Sequence, residues 1–192
     1  MDREERKTSY LHCFIKTFAE NGIDRTPIKK LAAAAKINEA SIYQYFKNKD
    51  EIVVDCVGLY LEKEIVKMVK ILSNNRQPFE TRIRRILNAD AETAGESKFI
   101  IQVLTSPAYG KMCSPLVRSF SQRFLSLCTS SDGAFSDEPV APTELLLILS
   151  AMISYRVVGD EQLFRLQTEY LLSLFYERER IGEDRPAMQK LG

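Results

Sequence analysis

The feature that most constrains this chain is a series of short amphipathic segments near its start, separated by residues that end or begin helices. Apolar side chains recur at three- and four-residue steps over residues 4–21, which predicts a helix that Gly22 ends. A second helix is predicted from the Thr26-Pro27 pair to about residue 35, and a third from the cap Asn38 to about residue 43. Two short helices joined by a tight turn, with a helix packed behind them, predict a helix-turn-helix.

The rest of the chain shows further helices separated by glycine, proline and polar residues, and strand signals are scarce. After a long helix capped by Asn48, helices are expected over residues 79–94, 97–105, 114–128, 143–158 and 160–180. In this prediction Gly95 ends one helix, the Ser106-Pro107 pair closes the next, and the Ser114-Pro115 pair starts another. The chain is therefore predicted to be all-α, with about nine helices. The helix-turn-helix domain would occupy residues 1–47 and a helical bundle residues 48–192, with the helix 48–73 connecting them.

Basic residues are concentrated in the predicted helix-turn-helix, although the whole chain has a formal net charge of only +1. Between Arg25 and Lys49 there are six basic residues and one acid, Glu39. A local basic patch on a near-neutral protein is typical of a module that binds phosphates, and equally of a solvated face. Combined with the helix-turn-helix, it indicates double-stranded DNA as a partner.

The third predicted helix carries small and hydrogen-bonding side chains that suit a major groove. The residues predicted to contact bases are Glu39, Ala40, Ser41 and Gln44. Gln44 can pair with adenine, Glu39 can accept from N4 of cytosine, and Ala40 can contact a thymine methyl group. Tyr43 can donate a hydrogen bond to a phosphate. Glu39 is also favourable at a helix N-terminus in the absence of DNA.

The thirty-five residues from Phe18 to Ile52 carry a specific motif. It consists of Phe18–Gly22, Thr26, Ile28–Ala32, Ala35–Asn38, Ser41–Phe46 and Asn48–Ile52. The spacing of this motif, which matches without a gap, resembles the signature of the TetR family of repressors. The resemblance implies phosphate contacts from Thr26, Tyr45 and Lys49. It also implies a ligand-responsive transcriptional repressor that acts as a homodimer on a palindromic operator.

The turn departs from the family pattern at Lys36, a position that the family usually fills with glycine. A residue with a Cβ resists positive φ, at a cost of about 1 kcal/mol. We therefore expect either a turn with a different φ or a strained residue. Ala40 also stands where glycine is commoner in the family.

Two C-terminal helices are predicted to form a dimer interface. Residues 145–153 are apolar all round, so they require a cover on every side, either from a partner chain or from the helices of a monomeric bundle. The predicted interface residues are Leu145, Ile148, Leu149, Met152, Leu163, Leu166, Tyr170 and Leu174. A twofold dimer would place two recognition helices about 34–36 Å apart, on successive major grooves.

The middle helices combine aromatic side chains with isolated polar groups, a composition that suits a small-molecule pocket. The predicted ligand-binding residues are Asn88, Phe99, Gln102, Tyr109, Phe120, Phe124, Met152 and Tyr155. Each of these residues taken alone also fits a core or surface position. The two helix-turn-helix domains of a dimer must lie at a fixed spacing to bind DNA. An effector that binds better to a conformer with a different spacing would shift the population away from DNA, and the helix 48–73 would transmit the change.

Signatures of an enzyme, a metalloprotein or a membrane protein are lacking. His12 is the one histidine, and its neighbour Cys13 points about 100° away from it on a helix, which disfavours a catalytic pair. The cysteines show no metal-binding spacing, so we expect no bound metal. Since the chain also offers no catalytic pair, we expect neither enzyme activity nor a cofactor. Without an apolar run of about 18 residues or a secretory leader, the chain is expected to be cytoplasmic, with no membrane partner. A helical protein-interaction adaptor and an activator without a small-molecule effector stay open as alternatives.

Overall fold

The computed structural model describes residues 2–74, 76–78, 81–86, 94–129, 160, 162–163, 165–170 and 172–173. Regular structure in these residues is α-helical, as the sequence predicts. The helices are α1 (Arg3–Asn21), α2 (Ile28–Ala34), α3 (Glu39–Tyr43), α4 (Lys49–Leu72), α5 (Ala94–Thr105) and α6 (Pro107–Thr129). Residues 81–86 and 165–170 are also helical. The predicted helix 143–158, residues 79, 80 and 87–93 of the predicted helix 79–94, and residues 161, 164, 171 and 174–180 of the predicted helix 160–180 lie outside the described residues.

Local caps account for the bounds of α1, α3 and α4. Gly22 ends α1 with a φ of 85°, in the region that favours glycine. The side chain of Asn38 accepts from the backbone N–H of Ser41 at 2.7 Å, and that of Asn48 accepts from the N–H of Glu51 at 2.8 Å. The predicted caps Asn38 and Asn48 are therefore confirmed, and each satisfies one of the free N–H groups of a helix start.

The start of α2 differs from the prediction. Pro27 is the N-cap residue and makes no side-chain capping bond. The Thr26 hydroxyl instead donates to the carbonyl of Gly22 at 2.7 Å, and Thr26 is fully buried. Thr26 thus ties the α1–α2 loop together and does not cap α2.

The α2–α3 turn is a Schellman motif with Lys36 at its left-handed position. The N–H of Ile37 donates to the carbonyl of Ala32 at 3.0 Å, and the N–H of Lys36 donates to that of Ala33 at 3.1 Å. These are the two bonds that define the motif. Lys36 has a φ of 57°, so the turn keeps its usual geometry and the lysine carries the strain.

Glycine and proline have different roles in α5 and α6 from those predicted. Gly95 lies in the first turn of α5 and does not end a helix. The helix α5 ends at Thr105, as predicted from the Ser106-Pro107 pair, but Pro107 also begins α6. Pro115 lies inside α6, where it removes the N–H that would bond to the carbonyl of Lys111. The hydroxyl of Ser114 donates to that carbonyl at 3.0 Å, so the helix continues with the acceptor satisfied.

A continuous apolar core joins the first three helices to α4, α5 and α6. Phe14 packs edge-on against Phe46, with 5.9 Å between ring centroids, and Phe18 stacks on Phe99 at 5.7 Å. All four rings are essentially inaccessible, and each contributes about 1.5–3 kcal/mol through burial. The core runs without interruption across the predicted domain boundary between residues 47 and 48. We call α1–α3 the head and α4–α6 the body. The head therefore packs against the body as well as being joined to it through the chain.

Within the described ranges, no helix is long and apolar enough to cross a membrane. The same residues hold no group of three or more His, Cys, Asp or Glu side chains arranged to bind a metal ion.

Candidate nucleic-acid interface

Helix α3 is anchored on one side and open on the other. Ile42 is its one buried residue. Glu39, Ala40 and Gln44 are exposed, and Tyr43 is 55% exposed. The outward face predicted for major-groove contact is therefore accessible.

Ser41 is the exception among the predicted base contacts. It is half-buried, and its hydroxyl donates to the side chain of Asn38 at 2.8 Å. The hydroxyl proton is therefore used inside the helix start. The oxygen keeps its acceptor capacity for a cytosine or adenine amino group.

The predicted phosphate contacts have different surroundings. Tyr43 projects into solvent, whereas Tyr45 is half-buried and packs edge-on against Tyr10, with 5.3 Å between centroids. Thr26 is buried and already donates its hydroxyl proton to Gly22, so its surroundings do not support the predicted phosphate contact.

Lys49 is the first residue of α4 and is half-buried. The first-turn N–H groups and the ammonium group of Lys49 can act together on one phosphate, as helix starts commonly do. Two acids, Asp50 and Glu51, share this turn. Both are hydrogen-bond acceptors within the protein: Asp50 from the hydroxyl of Tyr109, and Glu51 from the N–H of Lys47.

Most basic residues of the segment from Arg25 to Lys49 are exposed. The basic residues that are exposed are Arg25, Lys29, Lys30, Lys36 and Lys47. Such side chains supply the sequence-independent part of duplex affinity, and they make that affinity fall steeply with salt.

Two polar side chains that were predicted to line a ligand pocket have other partners: Gln102 contacts the head, and Tyr109 contacts the start of α4. The side-chain oxygen of Gln102 accepts from the backbone N–H of Ile23 at 3.1 Å, and its side-chain nitrogen lies 3.4 Å from the backbone carbonyl of Ala19. Tyr109 donates its hydroxyl proton to Asp50 at 3.1 Å. Burial, with the hydrogen bond to Asp50 second, raises the pKa of Tyr109 to about 12.

Gln102 and Tyr109 line an open cleft of about 500 Å³ between the α1–α2 loop and the α5–α6 junction. Phe99 is fully buried against Phe18 and is not one of the residues that line this cleft. Phe120 and Phe124 stack on each other on α6, with 6.3 Å between centroids. The other predicted pocket residues, Asn88, Met152 and Tyr155, lie outside the described residues.

Three of the predicted dimer residues are exposed in the single chain. Leu163 is 40% exposed, Leu166 57% and Tyr170 64%. Their spacing places them on one face of the C-terminal helical residues. The other predicted interface residues, Leu145, Ile148, Leu149, Met152 and Leu174, lie outside the described residues.

Arg3 contacts the end of α3, and the sequence does not predict this contact. Its guanidinium group donates to the backbone carbonyl of Gln44 at 2.7 Å. Because the two residues are 41 positions apart, no local pattern points to the contact.

Comparison with known proteins agrees with this geometry. The family model for bacterial regulatory proteins of the tetR family matches residues 15–56. An uncharacterised HTH-type transcriptional regulator of Bacillus subtilis strain 168, YuxN, is 24% identical over 100 residues. That alignment covers 52% of this chain but only 34% of YuxN, so the chain matches about a third of the length of this relative.

Solved structures share the fold over most of the chain. A protein of Mesorhizobium loti, described as a candidate TetR-family transcriptional regulator, superposes with a TM-score of 0.69 at 15% identity, covering 91% of this chain and 98% of its own. The fatty acid degradation regulator FadR of Bacillus halodurans gives 0.58 at 15% identity, covering 88% and 98%. AibR, solved with isovaleryl coenzyme A and operator DNA, gives 0.55 at 16% identity, covering 88% and 97%. Residues 15–56 therefore match the N-terminal domain model of the tetR family of bacterial regulatory proteins, and the chain has the fold of these solved TetR-family regulators.

Proposed function

We propose that the protein is a ligand-responsive transcriptional repressor that binds a palindromic operator as a homodimer. The observation that carries the proposal is α3 itself, a capped helix with one buried residue and an exposed face bearing Glu39, Ala40 and Gln44. Lys49 and the surrounding basic residues would hold phosphates on either side of the groove. Gln44 and Glu39 would select bases.

Selection of duplexes from a random pool by the purified full chain tests DNA binding. We expect a palindrome whose half-sites are about one helical turn apart, since a twofold dimer presents two recognition helices at that spacing. Binding to the selected duplex should weaken steeply between low and moderate salt. A protein-interaction adaptor would enrich no duplex.

Lys49 and Gln44 separate the two kinds of contact. Lys49→Gln should weaken binding to all sequences alike and reduce the salt slope by about 0.9. Gln44→Ala should relax preference at one base pair of each half-site, at a cost of about 1–3 kcal/mol for the preferred base. Lys70→Gln is the matched control, because Lys70 is exposed in the last turn of the same helix, far from α3. Equal effects of Lys49→Gln and Lys70→Gln would contradict the assignment.

The dimer is supported by the exposed stripe of Leu163, Leu166 and Tyr170. Large apolar side chains that share one exposed face mark an interaction surface. Leu166→Glu should shift the protein toward monomer in sedimentation equilibrium, because burying a carboxylate in an apolar interface is costly. Arg165→Gln, at an exposed position that points about 100° away from Leu166 on a helix, should leave the association constant unchanged.

Effector response is supported by the fold, since AibR was solved with both isovaleryl coenzyme A and operator DNA. Isovaleryl coenzyme A and longer acyl thioesters are therefore sensible first probes, with free coenzyme A as the control. An effector must lower operator affinity at saturation, because it acts only through different affinities for the DNA-bound and free conformers. Unchanged operator affinity with every compound of a broad metabolite panel would point to a regulator without an effector.

A further inference from the structure

The recognition helix α3 is held at few points. It has five residues, and Ile42 is the one that is buried. Asn38 fixes its N-terminal end through the bonds to Ser41. So short a helix has little stability of its own, so contacts made by other parts of the chain must fix its orientation.

Arg3 supplies such a contact at the C-terminal end of α3. Gln44 is the C-cap residue, and its carbonyl is among those that a helix end leaves without a helical partner. The guanidinium group of Arg3 donates to this carbonyl at 2.7 Å. The guanidinium carbon also lies 5.7 Å from the centroid of the Tyr45 ring, within range of a cation–π interaction.

The position of Arg3 is itself well defined by the first turns of α1. The Asp2 carboxylate accepts from the N–H of Glu5 at 2.8 Å, and the Glu5 carboxylate accepts from the N–H of Asp2 at 2.9 Å. This reciprocal capping box fixes the turn that carries Arg3. One turn later, Lys7 pairs with Asp55 of α4 at 2.7 Å and lies over the Phe46 ring, 5.2 Å from its centroid.

We propose that Arg3 is a positioning residue for DNA recognition, which holds the Gln44 carbonyl and the Tyr45 ring so that α3 presents Gln44 to the groove in one orientation. This inference rests on the proposed DNA-binding function. It differs from a phosphate-contact role because it depends on the bond to the Gln44 carbonyl and on the contact with the Tyr45 ring. Arg3 therefore acts through Gln44 and Tyr45, and its removal affects which bases are preferred.

The first test uses the free protein and does not depend on DNA. Arg3→Met should speed hydrogen–deuterium exchange in a peptide covering residues 39–46 by about tenfold. A hydrogen bond from a charged group changes an equilibrium constant by roughly tenfold or more, and the variant loses that bond. A peptide from the middle of α4 should exchange as in the wild type. Arg6→Met is the matched control, because Arg6 is exposed on the same helix one turn away. Equal exchange in Arg3→Met and Arg6→Met would overturn the inference.

The second test repeats duplex selection and binding with the same variants. Arg3→Met should lower operator affinity about five- to tenfold and broaden the preference at the base pair that Gln44→Ala also relaxes, with the salt slope of the wild type. Arg3→Lys should recover less than half of the loss, because an ammonium group lacks the planar fork that both bonds the carbonyl and covers the ring. A loss that is uniform across sequences, with a slope reduced by about 0.9, would make Arg3 a phosphate contact and refute the positioning role.

The two tests distinguish failure of the inference from failure of the proposed function. A wild-type protein that enriches no duplex contradicts the DNA-binding function, while the exchange experiment still decides whether Arg3 holds α3. A wild-type protein that binds an operator, together with an Arg3→Met variant that matches it in exchange and specificity, contradicts the inference alone.

Discussion

Replacing Lys36 with glycine should make the protein more stable, although it removes a side chain from the turn that joins α2 to α3. Lys36 has a φ of 57° at the left-handed position of a Schellman motif. A left-handed conformation costs a residue with a Cβ about 1–2 kcal/mol. Glycine does not bear that cost, but it loses more backbone freedom on folding, about 0.5–1 kcal/mol. The difference predicts a stabilisation of about 0.5–1 kcal/mol for Lys36→Gly.

Thermal and urea unfolding of three proteins measures this effect. For a chain of this size, a stabilisation of that amount corresponds to a rise in Tm of about 1–4 °C. Lys36→Ala keeps the Cβ and removes the charge, so it should unfold within about 0.5 kcal/mol of the wild type, as most surface substitutions do. Lys36→Asn should fall between alanine and glycine, because asparagine tolerates the left-handed region.

The comparison with alanine isolates the backbone contribution. If Lys36→Gly were no more stable than Lys36→Ala, the strain assigned to φ would be absent and the reasoning would be refuted. Both variants lose the same positive charge, so both should lose a similar small amount of duplex affinity. A much larger loss for glycine alone would show that the turn needs a rigid residue for recognition.

Three further predictions concern contacts between the head and the body and the start of α4. Gln102→Leu should destabilise the protein by about 1 kcal/mol in urea unfolding, since it leaves backbone groups of the α1–α2 region without their partner, whereas Gln122→Leu on the exposed side of α6 should change little. The pKa of Tyr109 is raised from 10.0 to about 12 in the folded protein. The contribution of Tyr109 to the free energy of unfolding is therefore fully present below pH 10 and is lost as the pH rises from 10 to 12. Tyr109→Phe should therefore flatten the decline in stability over that range, and an identical decline in both proteins would contradict the raised pKa of Tyr109. Asn48→Ala should lower stability by about 1 kcal/mol and Asn48→Asp should not, because aspartate also caps; equal losses would exclude the capping role.

Much of the helix-turn-helix was predictable because its signals are local. The caps Asn38 and Asn48 act on N–H groups three residues away, and Gly22 ends α1 through its own φ. Such contacts depend on a few neighbouring residues, so residue type and spacing are enough to identify them. Lys36 was recognised in the same way, as a non-glycine residue where the turn requires positive φ.

Predictions failed where a local signal had two meanings. Proline both ends and begins helices, and Pro115 does neither because Ser114 satisfies the carbonyl that it leaves free. Thr26 has the residue type of a cap, but its hydroxyl bonds back to Gly22. In each case two or more conformations agree with the residue type, and packing selects one.

The amino-acid sequence by itself determined the helical class, the helix-turn-helix and the exposed face of α3, because these follow from periodicity and from hydrogen bonds within one turn. Only the tertiary structure decided that Arg3 meets Gln44, that Gln102 reaches Ile23, and that Phe99 completes the core beneath Phe18. The two residues of each pair are between 41 and 81 positions apart, so their contacts depend on how whole helices pack together.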